Sequence, residues 1–354
     1  MPGRSELRLG AIRLKNPVLA GSGEHLIEAA GIRSALDAGA ACVFMKSTNE
    51  SDAARSQLDR ADYALLDSEW RRLPWNFSPP PDASLYCRSG LAPQPIDEWL
   101  EMMATTDRYA RERDAYVIPS LIPADFETGL DYARRMEAAG ARILELNVAA
   151  SHADEASKGA LTLERSAERV EAMVAGFRQT VSVPLWVKLT GQSGNVTDLA
   201  KAARAGGADA VILAGRFMAL VPDVETMAPV LGTNAGFGGP WALPITCRWL
   251  ADSRKHLGNA YPLIGTNGAR TGLDVVRFLL AGASAVQMTS APFTAGFGVL
   301  TEAVDSVERY LESNGTDATA IVGAAADRVT SYADQPVRAG SWRERVPEGS
   351  LGDP

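Results

Sequence analysis

The chain has 354 residues, 46% of them hydrophobic and 22% charged, with a net charge of −8. That length suits two domains of about 150 residues or one α/β barrel with insertions, and it buries a core large enough to need no staple. The composition excludes wholesale disorder and a membrane bundle, and the acidic balance argues against nucleic acid as a partner. The opening residues, Met1-Pro2-Gly3-Arg4-Ser5-Glu6, carry no signal-peptide apolar core, and no apolar run approaches the roughly 20 residues of a bilayer span. A cytoplasmic protein without membrane attachment is expected. Cys42, Cys87 and Cys247 are too sparse for a disulfide framework, and His25, His152 and His256 are too few for a histidine-rich metal site, so no metal is expected.

In chain order, one unit recurs: a short apolar run, a break, then an amphipathic stretch. Strands are predicted at residues 16–20, 41–45, 115–121, 141–147, 184–189, 208–214, 261–265 and 284–288. Helices are predicted at 26–38, 96–111, 126–139, 162–180, 196–205, 272–281 and 298–311. Near-continuous apolar strands suit a parallel sheet covered on both faces. The repeated Ala-Gly-Ala or Gly-Gly-Ala steps ending at Ala40, Ala141, Ala208 and Ala283 place glycine where helices stop. Eight such units predict a (β/α)8 TIM barrel over residues 1–335, with a tail at 336–354 that is either disordered or wrapped on a neighbour. Two connections are too long for simple barrel loops: residues 47–114, which include Phe77-Ser78-Pro79-Pro80-Pro81, and the Gly-rich residues 215–242. Both leave the C-terminal ends of strands, where barrel active sites lie, and are candidate lids or pocket walls.

Polar residues at strand ends are the first chemical signal. Lys46 ends the second strand, Asn147 the fourth, and Lys188 lies near the end of the fifth. A lysine in an apolar strand is costly to bury without an anion to meet. The second signal is Gly-rich turns on consecutive units: Gly236-Phe237-Gly238-Gly239, Gly265-Thr266-Asn267-Gly268 and Thr289-Ser290. Backbone N–H groups there can cradle a phosphate. These residues alone also allow a Schiff-base lyase that uses Lys46 or Lys188 on a sugar-phosphate.

With these motifs in this order, the chain resembles the dihydroorotate dehydrogenase family of FMN-containing barrels, including the flavin domain of dihydropyrimidine dehydrogenases. The resemblance spans roughly residues 7–312. It is carried by Asn16-Pro17-Val18-Leu19-Ala20-Gly21-Ser22-Gly23, Met45-Lys46-Ser47-Thr48, Leu144-Glu145-Leu146-Asn147 and Pro184-Leu185-Trp186-Val187-Lys188-Leu189. Ile264-Gly265-Thr266-Asn267-Gly268-Ala269-Arg270-Thr271-Gly272 and Ala281-Gly282-Ala283-Ser284-Ala285-Val286-Gln287-Met288-Thr289-Ser290 complete it. The resemblance implies FMN, with the backbone of Ala20, Gly21 and Ser22 against the ring and Lys46 and Ser47 beside it. It places Asn147 in hydrogen bonding to the flavin and Lys188 at the N1–O2 edge. Gly239, Asn267, Gly268, Thr289 and Ser290 would hold the phosphate and ribityl chain. It also implies homodimers and a small-molecule substrate, and leaves the electron acceptor open. Asn267 stands where the family carries glycine, a mild departure since Asn tolerates positive φ.

The substrate side departs further. Family members that oxidise dihydroorotate carry a Cys or Ser base three residues after the strand-four Asn, and here that position is Ala150. Ser151, His152 and Cys87 are the candidate acid–base residues. The substrate asparagines are largely replaced, leaving Arg88 and Arg216, with Lys46, as candidate contacts to an anionic substrate. The expected activity is hydride transfer between flavin and a C–C bond next to a carbonyl, in a small cyclic amide, a pyrimidine-like ring or a related acid other than orotate. An FMN protein without normal redox turnover is the further alternative that Ala150 raises.

Overall fold

The computed structural model describes residues 3–149 and 166–351. Eight parallel strands form its centre: β1 (Val18–Ala20), β2 (Cys42–Phe44), β3 (Tyr116–Ile118, continuing as Ser120–Leu121), β4 (Leu144–Asn147), β5 (Leu185–Lys188), β6 (Ala210–Leu213), β7 (Leu263–Thr266) and β8 (Ala285–Met288). Each pairs with its neighbours in the chain, and β8 returns to β1 with Gln287 opposite Leu19 and Met288 opposite Ala20. The ring therefore closes, as the TIM barrel expected from the sequence. All eight strands fall where the apolar runs placed them. They are buried nearly throughout, because side chains alternate between the barrel interior and the surrounding helices. Pro119 has no N–H to give to a ladder and interrupts β3, although its carbonyl still accepts from the Glu145 N–H at 2.9 Å.

Helices Ala29–Asp37, Ile96–Arg111, Phe126–Ala138, Ala167–Thr180, Val196–Ala205, Leu243–Leu257, Gly272–Leu280 and Gly298–Ser313 alternate with the strands. Gly39, Gly140, Gly207 and Gly282 have φ between 96° and 110°. Each follows a helix end and turns the chain into the next strand, a left-handed step that other residues resist. The sequence pattern does not announce helix Leu243–Leu257. Its buried positions are Thr246, Leu250, Ser253, Arg254 and Leu257, so polar residues dilute the apolar stripe.

The two long insertions meet in one antiparallel sheet at the mouth of the barrel. Its strand order is Phe217–Ala219, Ala235–Gly238, Ser84–Arg88, Asp62–Leu66 and Arg72–Leu73. Gly236 and Tyr63 both lie opposite Cys87, from the two sides of the central strand. Alternation splits that strand between two faces: Tyr86 packs with Ala64, Leu66 and Phe237, while Leu85 and Cys87 pack with Leu65 on the other side. Ahead of the tail, the Arg254–Asp327 ion pair at 2.8 Å ties the segment after helix Gly298–Ser313 to helix Leu243–Leu257. Beyond it Tyr332, Val337 and Trp342 are exposed.

Candidate active site

The C-terminal ends of the strands and the inner face of the lid sheet enclose a cavity of about 1200 Å³, its open mouth included. Its floor is polar although its strands are apolar. Lys188, the last residue of β5, is buried and donates from Nζ to Gln287 Oε1 at 2.8 Å. Gln287 Nε2 donates to Glu145 Oε2 at 2.9 Å, and Ser120 Oγ donates to Glu145 Oε1 at 2.6 Å. From Ser120 the chain of bonds continues to Ser47 Oγ at 2.7 Å and from there to Ser22 Oγ at 3.1 Å. A fully buried carboxylate is tolerable here because both oxygens are bonded and an ammonium stands one amide away. Burial pushes the Lys188 ammonium down from its ordinary value, and Glu145 partly offsets this.

Lys46 follows β2 and is held by its backbone, where its N–H meets Leu26 O at 3.2 Å and its carbonyl accepts from Trp99 Nε1 at 3.3 Å. Its ammonium lies 3.1 Å from Glu24 Oε1, which also accepts from the Tyr63 hydroxyl at 2.8 Å. Burial alone would raise the Glu24 carboxyl, but the charges of Lys46 and Arg216 and the Tyr63 bond outweigh it and hold the group at about 2. His25, the next residue, is stacked on Phe293 and beside Phe297, and neither ring nitrogen has a partner among the described residues. Burial holds its imidazole down at about 4.

The opposite end is a cradle of backbone. Asn267 takes φ 66° and Gly268 φ 127°. A Cβ on Gly268 would lie 2.5 Å from Leu243 N, one on Gly238 2.7 Å from Asn267 Oδ1, and one on Gly21 within 2.1 Å of Thr289 Oγ1. Only bare backbone fits at these close approaches. Gly239, Gly268 and Ser290 extend into an adjoining recess that Arg270 also lines. Arg270 donates to Pro79 O at 2.6 Å, and burial lowers its guanidinium from the usual value.

Of the residues expected at a flavin, Ser22, Lys46, Ser47, Asn147, Lys188, Asn267, Gly268, Thr289 and Ser290 all line the main cavity and Gly239 lines the adjoining recess, while Ala20, which ends β1, and Gly21, which follows it against Thr289, do not line either. Ala150, Ser151 and His152 lie outside the described residues. Cys87 lines the cavity from the lid and contacts Arg216 Nη1 through Sγ. Burial pushes its thiol up, against the pull of the guanidinium. Arg216 enters the cavity, and its Nη2 donates to Ser89 Oγ at 3.0 Å.

Arg88 is a correction. It neighbours Cys87 on one strand, so it points to the opposite face, where it donates to Arg60 O at 2.8 Å and Leu231 O at 2.5 Å. It braces the lid rather than facing the cavity. Sequence reasoning missed Glu24, Glu145, Gln287 and Arg270. Two of these were findable, since a Glu and a Gln inside otherwise apolar strands need partners.

Residues 73–311 match the profile of the family described as dihydroorotate dehydrogenase. The catalytic subunit of dihydroorotate dehydrogenase B (NAD(+)) from Thermoplasma acidophilum is 31% identical over 232 residues, which is 65% of this chain and 73% of the relative. The corresponding subunit from Methanosarcina mazei is 33% identical over 224 residues, 62% of this chain and 69% of the relative. Dihydroorotate dehydrogenase A (fumarate) from Lactobacillus delbrueckii subsp. bulgaricus is 31% identical over 194 residues, 53% of this chain and 62% of the relative. Among the described residues no helix is long and apolar enough to cross a membrane, and no cluster of three or more His, Cys, Asp or Glu could hold a metal ion.

Proposed function

The chain belongs to the dihydroorotate dehydrogenase family, and from that premise we propose that it binds FMN and moves a hydride to or from a C–C bond next to a carbonyl in a small, acidic ring other than orotate. The observation that carries the reading is Lys188: a buried ammonium at a strand end, braced by Gln287 and facing a cavity of flavin size. The residues present fit FMN. The bare-backbone approaches at Gly238 and Gly268, with Ser290 and the half-buried Arg270, suit a phosphate, and Lys188 suits the edge of the ring where negative charge develops. When bound, FMN supplies hydride exchange at N5. Asn147 and Ser22 orient the ring, and Lys188 balances charge at its N1–O2 edge.

Cys87 handles the proton. Burial keeps the thiol protonated, so in the reducing direction it gives a proton to the carbon beside the one that takes the hydride. Arg216, in contact with Sγ, balances the thiolate that remains, and in the oxidising direction the thiolate takes the proton back. Arg216 also supports an acidic substrate, whereas asparagines contribute only Asn147 and Asn267 to the described lining.

The relatives' names give NAD(+) and fumarate as acceptors, so two acceptors remain open for this chain. A homodimer belongs to the same proposal, supported by exposed apolar residues such as Val224 and Met227 on the second insertion, each 90% exposed. The visible spectrum of the purified protein, with mass identification of released cofactor, tests the reading. A flavin spectrum with FMN released is the expected result, and a colourless protein that FMN does not reconstitute overturns it. Sedimentation tests the dimer. With flavin in place, Cys87→Ala should slow substrate-dependent bleaching by about 100-fold or more, while Cys87→Ser retains part of the rate.

A further inference from the structure

We propose that Glu24 and Arg216 are two separate charged anchors for the substrate. The substrate is then a small ring with an acidic group at one edge and a positively polarised, hydrogen-donating nitrogen, of amidine or amine type, at another. The assignment rests on the flavin site proposed above and narrows what lies against it.

Glu24 stands in a short turn, Glu24–Leu26, that follows β1, and it lines the cavity. Its two oxygens are used unequally. Oε1 accepts from both Lys46 Nζ and the Tyr63 hydroxyl, at 3.1 and 2.8 Å. Oε2 has no hydrogen-bond partner among the described residues, and the Glu24 side chain keeps 15% of its surface exposed. It is therefore an open acceptor on the cavity wall. An ionised carboxylate with free lone pairs in a recessed site calls for a donor, and charge-assisted N–H···O bonds meet that need best.

The same pair changes what Lys46 can do. Its charge is matched by Glu24, so an acidic group brought to Lys46 would also meet the Glu24 carboxylate and be repelled. Arg216 is less restricted, since it feels the charge of Glu24 only beyond ion-pair distance. One Nη donates to Ser89 Oγ, the other contacts the neutral thiol of Cys87, and no carboxylate lies within ion-pair distance among the described residues. A guanidinium has five N–H donors, so three are left to grip an acid. With Glu24 matched to Lys46, the Arg216 guanidinium leaves this group of three with one positive charge in excess. The cavity thus favours an acid at Arg216 and refuses a second one at Glu24.

The bland alternative is that Glu24 only neutralises Lys46 and never meets a ligand. Three probes of one ring size separate the two on the flavin-loaded protein, read by perturbation of the flavin spectrum: benzoate, 3-amidinobenzoate and isophthalate. The expected order on the unaltered protein is 3-amidinobenzoate tighter than benzoate by about tenfold, with isophthalate weakest. Glu24→Gln should bring the first two within about threefold of each other and relieve the penalty on isophthalate. Arg216→Met should weaken all three. Isophthalate binding as well as 3-amidinobenzoate to the unaltered protein overturns the proposal. So does a Glu24→Gln variant that keeps the tenfold preference, or a failure of all three probes to perturb the flavin. These outcomes leave flavin binding standing, whereas a protein that takes up no FMN removes both the flavin site and this inference.

Discussion

The floor of the cavity and its lid side solve opposite problems. On the floor the buried polar groups of Lys188, Gln287, Glu145, Ser120 and Ser47 join into one bonded chain. On the other side Glu24 and Arg216 line the cavity, and Glu24 Oε2 and the remaining N–H groups of Arg216 have no hydrogen-bond partner among the described residues. The contrast teaches where each kind of recognition is kept. A saturated network fixes one geometry for a permanent occupant, while open donors and acceptors wait for a ligand that comes and goes.

The sharpest way to break that contrast is to interrupt the floor. Glu145→Leu leaves Lys188 without its counter-charge and should destabilise the protein by about 3–5 kcal/mol in urea unfolding. A loss under about 1 kcal/mol would show that the bonded floor carries little energy. Acid comes next, and its sign is set by two groups held low. His25 titrates near 6.5 when unfolded and at about 4 when folded, so the unfolded chain takes the proton first. Stability should fall by about 3 kcal/mol as the pH drops from 6.5 to 4, and His25→Leu should flatten that window. Glu24, held at about 2, contributes stability that is complete above its unfolded value near 4.5 and lost as the pH falls towards 2. Urea midpoints across these windows check both.

Smaller is Gly268→Ala. It forces a side chain onto φ 127° and against Leu243 N, and should cost about 1–3 kcal/mol while weakening FMN retention on dilution. Smallest is Arg88→Met, which removes two bonds to lid carbonyls. A loss of about 1–2 kcal/mol with unchanged affinity for acidic ligands would sharpen the division between Cys87 facing in and Arg88 facing out.

The barrel was legible because its signals are local. Eight apolar runs and four Gly-terminated helices can be read in windows of about a dozen residues. Asn147 and Lys188 were legible for the same reason, as polar residues closing apolar strands. The lid sheet was not. Ser84–Arg88 pairs with Ala235–Gly238 from an insertion far along the chain, and no local pattern announces such a partner. Without that sheet, the alternation that turns Arg88 outward could not be anchored to a face. Glu24 was hidden differently. It stands one residue beyond the Gly-Ser-Gly run, and its role depends on Tyr63 and Lys46 arriving from other elements.

The bonded floor has one further consequence. Its members come from β3, β4, β5 and β8 and from the loops just after β1 and β2, so the groups that set the electrical surroundings of the flavin also stitch most of the ring together. A seam that opens anywhere along this circuit detunes the cofactor at the same moment. On heating, redox function and fold should therefore fail at one temperature, whereas the grip of Arg216 on an acid, seated on the second insertion, is free to drift without weakening the barrel beneath it.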